Sequence, residues 1–417
     1  MSINDLTGGI NNCSCGRIHT CPVETIAIEK NALKYLPEIC RGYAHILVVA
    51  DENTWEVCGE RAFSLLPLGA DKIVLKGNGH VVIPNEEKIA EINKAITDKT
   101  DLIIGIGSGV INDLCKYVSF QHKIPYFIVA TAPSMDGYVS AGAAMILEGM
   151  KITINCRPPK AIIADTEILK AAPLEMLRSG YGDIIGKYSC LNDWKLSALI
   201  KGEYFCQRVY DLVYSEIQNV KPLAKRIMEH DEAAIKTLTK ALITVGIAMS
   251  YVVSSRPASG SEHHLAHFFE IKGILDQKPY FSHGIAVLYS SIVTARLREK
   301  IIASIPAKRA FDFDMWEKKI REIYLSSAEN VIALQKKLGW YYEDDSDTVT
   351  QKWSDIAALL NQAPSSAEIN RMAEEIGLRY SDFISMYGQE KIDQAVLYAK
   401  DMKDRYTVLW LYYTYFR

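Results

Sequence analysis

Asp101-Leu-Ile-Ile-Gly-Ile-Gly-Ser-Gly-Val-Ile-Asn-Asp113 decides the fold. Its first half is a short apolar run with β-branched residues, and its second half is a glycine turn leading into a helical pattern. A run that is apolar on both faces and bounded by turn signals is the strand of a parallel sheet covered by helices. Four similar runs flank it: His45-Ile-Leu-Val-Val-Ala50, Asp71-Lys-Ile-Val-Leu75, Tyr126-Phe-Ile-Val-Ala130 and Ala161-Ile-Ile-Ala164. Helical stretches at 85–99 and 112–122 alternate with them. Residues 1–172 therefore predict a Rossmann-like α/β domain with a parallel sheet. Such sheets bind ligands beyond the carboxyl ends of their strands, so the residues after Ala50, Ile106 and Ala130 come first.

After Pro173 the strand signals stop. Helical patterns cover 174–200, 203–218, 221–230 and 231–254 and continue beyond Pro306, so residues 173–417 predict an all-α domain. The longest apolar stretch, Ala241 to Val253, reads as a buried helix too short to span a bilayer. A chain of 417 residues, 49% hydrophobic and 23% charged, has a globular composition and not a disordered one. Its 47 basic and 50 acidic side chains nearly cancel, so no global field favours nucleic acid. Nine cysteines, an odd number spread thinly, predict reduced thiols in a cytoplasmic protein. The start, Met-Ser-Ile-Asn-Asp, has neither a basic nor an apolar segment and predicts no secretory signal.

The turn Gly107-Ser108-Gly109-Val110-Ile111 suits a pyrophosphate, because the glycines admit close backbone approach and the helix N-terminus presents unpaired N–H groups. It also fits a plain strand–helix turn, since the spacing is not the six-residue dinucleotide fingerprint. Asp51, ending an earlier strand, can bond ribose hydroxyls or cap the helix that follows it. Beyond the next strand, Thr131-Ala132-Pro133-Ser134 and Ser140 offer hydroxyls and backbone, and Asp136 a carboxylate.

Four of nine histidines fall between 263 and 283, in Ser259-Gly-Ser-Glu-His-His-Leu-Ala-His267 and Phe281-Ser-His-Gly284. Ser259 and Glu262 have capping-box spacing and place a helix start here. His263 and His267 then share a face, and His264 points elsewhere. His283 opens a second helix. Imidazoles from two elements suit a divalent transition metal, and alone they also fit structural histidines. Asp183, between glycines in an apolar neighbourhood where an unpaired carboxylate is costly, is the candidate third ligand. Three protein ligands leave open positions for substrate, as in catalytic sites.

The order of Gly107-Ser-Gly-Val-Ile-Asn-Asp-Leu-Cys-Lys116, Thr131 to Asp136, Gly180-Tyr-Gly-Asp183, Ser259 to His267 and His283-Gly284 resembles sn-glycerol-1-phosphate dehydrogenases, most closely the bacterial branch. These belong to the dehydroquinate synthase-like and iron-containing alcohol dehydrogenase superfamily. The resemblance spans roughly 40–300. It implies metal-dependent, NAD(H)- or NADP(H)-linked interconversion of dihydroxyacetone phosphate and sn-glycerol 1-phosphate, a place in phospholipid biosynthesis, and a homodimer. It assigns Asp183, His263 and His283 to a zinc, nickel or iron ion. Asp136, Asp183 and His267 go to substrate; Asp51, Gly107 to Ile111, Thr131 to Ser134 and Ser140 go to the dinucleotide. Ser108 departs from the family's consecutive glycines, which puts that pyrophosphate contact in question.

The rival readings are a glycerol dehydrogenase or other small polyol or aldehyde reductase of the superfamily, a dehydroquinate synthase-type lyase, and an inactive nucleotide-binding sensor. Substrate phosphate separates the first from the main reading; retention of Asp183, His263 and His283 argues against the last. Cys13-Ser-Cys-Gly-Arg-Ile-His-Thr-Cys21 gathers three thiols and an imidazole, but its spacing is not a standard zinc-finger pattern and it reads as a surface hairpin.

Overall fold

The computed structural model describes residues 3–77, 81–147 and 150–417. The chain forms two compact units, residues 1–184 with 218–255 and residues 185–217 with 256–417. The first unit is built on a six-stranded sheet in the order β1-β8-β5-β4-β2-β3. These strands are β1 (Thr25–Glu29), β2 (Ile46–Asp51), β3 (Asp71–Leu75), β4 (Leu102–Gly107), β5 (Tyr126–Ala130) and β8 (Ala161–Asp165). All five pairings between them are parallel. A separate antiparallel hairpin joins β6 (Gly142–Leu147) to β7 (Met150–Asn155).

Every residue of β4, β5 and β8 is buried, which is why each reads as an unbroken apolar run. From β2 the chain steps outward to β3 and then returns to β4 on the other side of β2. The winding direction therefore reverses between β2 and β4. The crevice at their carboxyl ends is the switch point where doubly wound sheets take ligands.

Six helices matter for the site: α1 (Ile3–Thr7), α2 (Gly109–His122), α3 (Leu174–Lys201), α4 (Glu232–Val252), α5 (Ser261–Asp276) and α6 (His283–Ile302). α3 belongs to the first unit up to Ile184 and to the second from Ile185. α4 corrects the expected length of the apolar segment. It has 21 residues and is long and apolar enough to cross a membrane by length and composition. It is nonetheless a core helix of the first unit, packed against α1 and β1 with its apolar side chains buried.

The second unit contains helices and no strand among the described residues. α5 and α6 pack side by side in it. The helix start expected at Ser259 lies one residue later, with Gly260 as the N-cap. Glu262 Oε1 accepts from Gly260 N at 2.9 Å, and Asp193 Oδ2, reaching in from α3, accepts from Ser261 N at 2.7 Å. A Cβ at position 260 would lie 2.7 Å from Asp193 Oδ2 and from the Cys190 Cα, so only glycine lets this part of α3 come so near. The helix is thus capped by a buried carboxylate from another element, and not by the local serine.

Candidate active site

The switch point is framed by two turns of different character. After β2, Asp51 accepts from Thr54 N at 2.8 Å and its own N–H donates to Thr54 Oγ1 at 3.0 Å, a capping box that starts the helix Glu52–Thr54. After β4, Ser108 is the N-cap of α2 and makes no side-chain cap. The glycines of this turn do different things. A Cβ on Gly105 would lie 2.9 Å from Cys115 Sγ, and one on Gly107 would lie 2.5 Å from Ile111 Cβ. Those two positions let α2 lie directly on the sheet, and Ile111 is committed to that packing. A Cβ on Gly109 would meet only the Met135 side chain, at 3.6 Å. Protein packing does not demand glycine there, and the helix start is open to close approach at this position.

The segment after β5 is pinned to the same end of the sheet. Thr131 N donates to Gly107 O at 3.1 Å, Tyr138 Oη donates to Ala132 O at 2.7 Å, and Ser179 Oγ donates to Ser134 O at 2.9 Å. Gly180 of α3 is pressed so close to the Pro133 carbonyl that an added Cβ would stand 1.8 Å from its oxygen. Asp136 and Asp183, both buried, meet through the Asp136 N–H, which donates to Asp183 Oδ2 at 3.0 Å.

Ser140 is occupied by a network that the sequence did not disclose. Lys116 on α2 is fully buried, and its ammonium reaches Gly137 O and Gly142 O at 2.9 Å, Ser140 Oγ at 3.2 Å and Asp113 Oδ1 at 3.3 Å. Burial lowers its pKa, opposed by the charge of Asp113. The lysine ties the 137–142 segment to α2. Lys116→Met is expected to cost about 1–3 kcal/mol, because buried carbonyls lose a charged donor, read as a lower denaturant midpoint at unchanged slope.

In the second unit, three imidazoles form a triangle. The ring centroids of His263 and His283 are 5.1 Å apart, those of His267 and His283 5.6 Å, and those of His263 and His267 6.0 Å. α5 supplies two of them one turn apart, and the first residue of α6 supplies the third. His263 is buried, and its Nδ1 lies 2.6 Å from Glu262 Oε1, which holds the ring with Nε2 on the opposite side. Burial, then the charge of Lys187, then His283 and His267, hold its pKa well below the ordinary value, so the ring is neutral. Burial and the nearby Asp193 push the Glu262 carboxyl up to about 8. Ligand atoms of His267, Glu270 and His283 also lie within 4.8 Å of one another. His264 is fully buried.

With this geometry in view, similarity to known proteins is informative. Residues 27–173 match the family model of iron-containing alcohol dehydrogenases. A glycerol-1-phosphate dehydrogenase (NAD(P)+) of Halalkalibacterium halodurans is 28% identical over 410 residues, covering 96% of this chain and 95% of the relative. Its counterpart in Bacillus licheniformis is 34% identical over 334 residues, covering 77% of this chain and 82% of the relative. The chain belongs to the glycerol-1-phosphate dehydrogenase family. An alcohol dehydrogenase structure from Oenococcus oeni shares the fold at a TM-score of 0.58 with 14% identity, covering 92% of each chain. The dehydroquinate synthase-like architecture expected from the resemblance is therefore the one the chain adopts, and members of this family are oxidoreductases.

Glu262, Lys187, Lys116 and Asp193 escaped the sequence reading. Glu262 carried a usable signal, since a carboxylate next to a candidate ligand histidine is a common orienting partner. The two lysines carried none, because a lysine in a helical pattern ordinarily reads as a solvated face.

Proposed function

We propose that the protein is a metal-dependent, NAD(H)- or NADP(H)-linked enzyme interconverting dihydroxyacetone phosphate and sn-glycerol 1-phosphate, in the cytoplasm and as a homodimer. The triangle of His263, His267 and His283, in a chain aligned over 96% of its length with a glycerol-1-phosphate dehydrogenase, carries this reading. Residues 1–172 serve the nucleotide, and residues 173–417 serve metal and substrate. The nine cysteines include no disulfide, which supports a reducing compartment.

In this proposal Asp183, His263 and His283 hold a divalent ion, a donor set that zinc, nickel and iron all accept. The fit is supported by His263, whose Nδ1 is engaged by Glu262 and whose burial keeps the ring neutral. A metal held there supplies Lewis acidity toward the substrate's carbonyl or hydroxyl oxygen. His267 orients a substrate hydroxyl and moves its proton, and Asp136 binds a second polar group of the substrate. At the other end, Asp51 takes ribose hydroxyls, the turn Gly107 to Ile111 takes the pyrophosphate, and Thr131 to Ser134 with Ser140 complete the dinucleotide site. A dinucleotide held by these residues would supply the hydride-transfer chemistry.

The test is NADH oxidation after chelation and add-back of zinc, nickel or iron, with dihydroxyacetone phosphate and dihydroxyacetone in parallel. Metal-restored turnover of the phosphorylated ketone alone is the expected result. Turnover of dihydroxyacetone instead would make the protein a glycerol dehydrogenase. Nucleotide binding without either turnover would leave the sensor reading.

A further inference from the structure

We propose that the N-terminal loop is a second, structural metal site, with Cys13, Cys15 and His19 as ligands to a thiophilic divalent cation, zinc in the cell. The proposal is independent of the reaction assigned above.

The loop is built for convergence. Its ends are closed by an antiparallel bridge between Ile10 and His19, with Ile10 N donating to His19 O at 2.8 Å and His19 N to Ile10 O at 3.0 Å. Inside it, Gly16 N donates to Cys13 O at 3.0 Å, and Gly16 sits at a φ of 79°, which any other residue adopts at a cost. That turn folds Cys13 and Cys15 back toward the bridge. The ligand atoms of Cys13, Cys15 and His19 consequently lie within 4.8 Å of one another.

His19 shows the orientation a ligand needs. It is fully buried although its neighbours in the loop are largely exposed. Its Nδ1 lies 2.8 Å from the Tyr251 carbonyl oxygen, which can only accept, so Nδ1 carries the proton and Nε2 the lone pair. That Nε2 stands 3.3 Å from Cys15 Sγ. A tetrahedral zinc with Zn–S of about 2.3 Å and Zn–N of about 2.0 Å needs such atoms roughly 3.5 Å apart. The Cys15–His19 contact involves two of the three groups, and a shared cation accounts for the convergence of all three ligand atoms. Uptake of the ion displaces the thiol protons of Cys13 and Cys15 to solvent and leaves two thiolates and a neutral imidazole as donors. Completed by a fourth ligand, such a thiolate and imidazole set is the closed tetrahedral arrangement of structural sites. Here the ion would fasten the loop to Tyr251 at the end of α4, whose hydroxyl already donates to the carbonyl of Leu6 in α1.

Cobalt separates this site from the proposed catalytic one, because Asp183, His263 and His283 include no thiolate. The full-length protein is chelated, loaded with Co(II), and its absorption recorded for wild type, C13S/C15S and H283A. The expected result is a thiolate-to-cobalt charge-transfer band in wild type and H283A, absent in C13S/C15S. Zinc content of the as-purified C13S/C15S protein should be one equivalent per chain below wild type. No such band in wild type, or a band that persists in C13S/C15S, overturns the proposal. If the double variant does not fold, thiol alkylation of wild type decides the matter. Protection of Cys13 and Cys15 by added Zn(II) supports the site, and equal labelling with and without zinc overturns it. The same labelling, read over the remaining cysteines, identifies any fourth protein ligand.

Discussion

Asp183→Ala is expected to yield a folded, nucleotide-binding protein that has lost both its metal and about three orders of magnitude of kcat/KM. Asp183 is fully buried and does two jobs in the proposed site: it ligates the ion, and its Oδ2 receives the Asp136 N–H at 3.0 Å. Metal stabilisation of transition-state charge is worth several kcal/mol, and each 1.36 kcal/mol is about tenfold in rate, giving a loss on the order of a thousandfold. Asp183→Asn separates the two jobs. The amide oxygen still accepts from Asp136, so thermal stability should stay near wild type, whereas the anionic ligand is gone. Metal per chain and kcat/KM for dihydroxyacetone phosphate are the measurements. An Asn variant with full metal and full turnover would remove Asp183 from the ligand set.

Gly180→Ala is expected to have the largest effect of any single methyl group in the first unit. The new Cβ would stand 1.8 Å from the Pro133 carbonyl oxygen and 3.3 Å from Leu242 Cδ1. The leucine can rotate; a backbone carbonyl cannot. The Thr131–Ser134 segment or the first turns of α3 must move, at a cost of about 1–3 kcal/mol or more. A thermal midpoint lower by roughly 2 °C or more should follow, with a raised KM for NADH. Gly109→Ala is the contrasting variant. Its Cβ would meet only Met135 at 3.6 Å, so stability should hold while NADH affinity falls. A Gly109→Ala protein with unchanged NADH affinity would move the pyrophosphate away from this turn.

What the sequence disclosed tracks how locally each feature is determined. β2, β3, β4, β5 and β8 were legible because their core-facing residues form uninterrupted apolar runs. β1 was missed: Thr25-Ile-Ala-Ile-Glu29 is an edge strand, largely half-exposed, and so has no such run. The hairpin at 142–155 was missed because Gly142-Ala-Ala carries little β signal, and its pairing with Asn155 back to Met150 is what makes it a strand. The histidine spacing foretold that His263, His267 and His283 would come together, since helix periodicity and a short connection suffice for that. The position of the α5 N-cap was not foretold, because Asp193 caps it from a distant stretch of chain. The same holds for His19, whose ring is oriented by the carbonyl of Tyr251. Asp51 illustrates the remaining ambiguity: its capping box is plain in the structure, and a ribose contact would be made by a residue already serving the backbone.

The division of the chain into interleaved units has a consequence during synthesis. β1 leaves the ribosome long before its sheet partner, β8, and α4, which packs on β1, comes later still, after residues 185–217 of the other unit. At roughly 5–20 residues per second, Thr25–Glu29 and the loop before it wait for many seconds without a docking surface. Throughout that interval the thiols of Cys13 and Cys15 and the hydrogen-bonding edge of β1 are open to solvent. A chaperone or an early-bound ion would therefore act on the N-terminal thirty residues first.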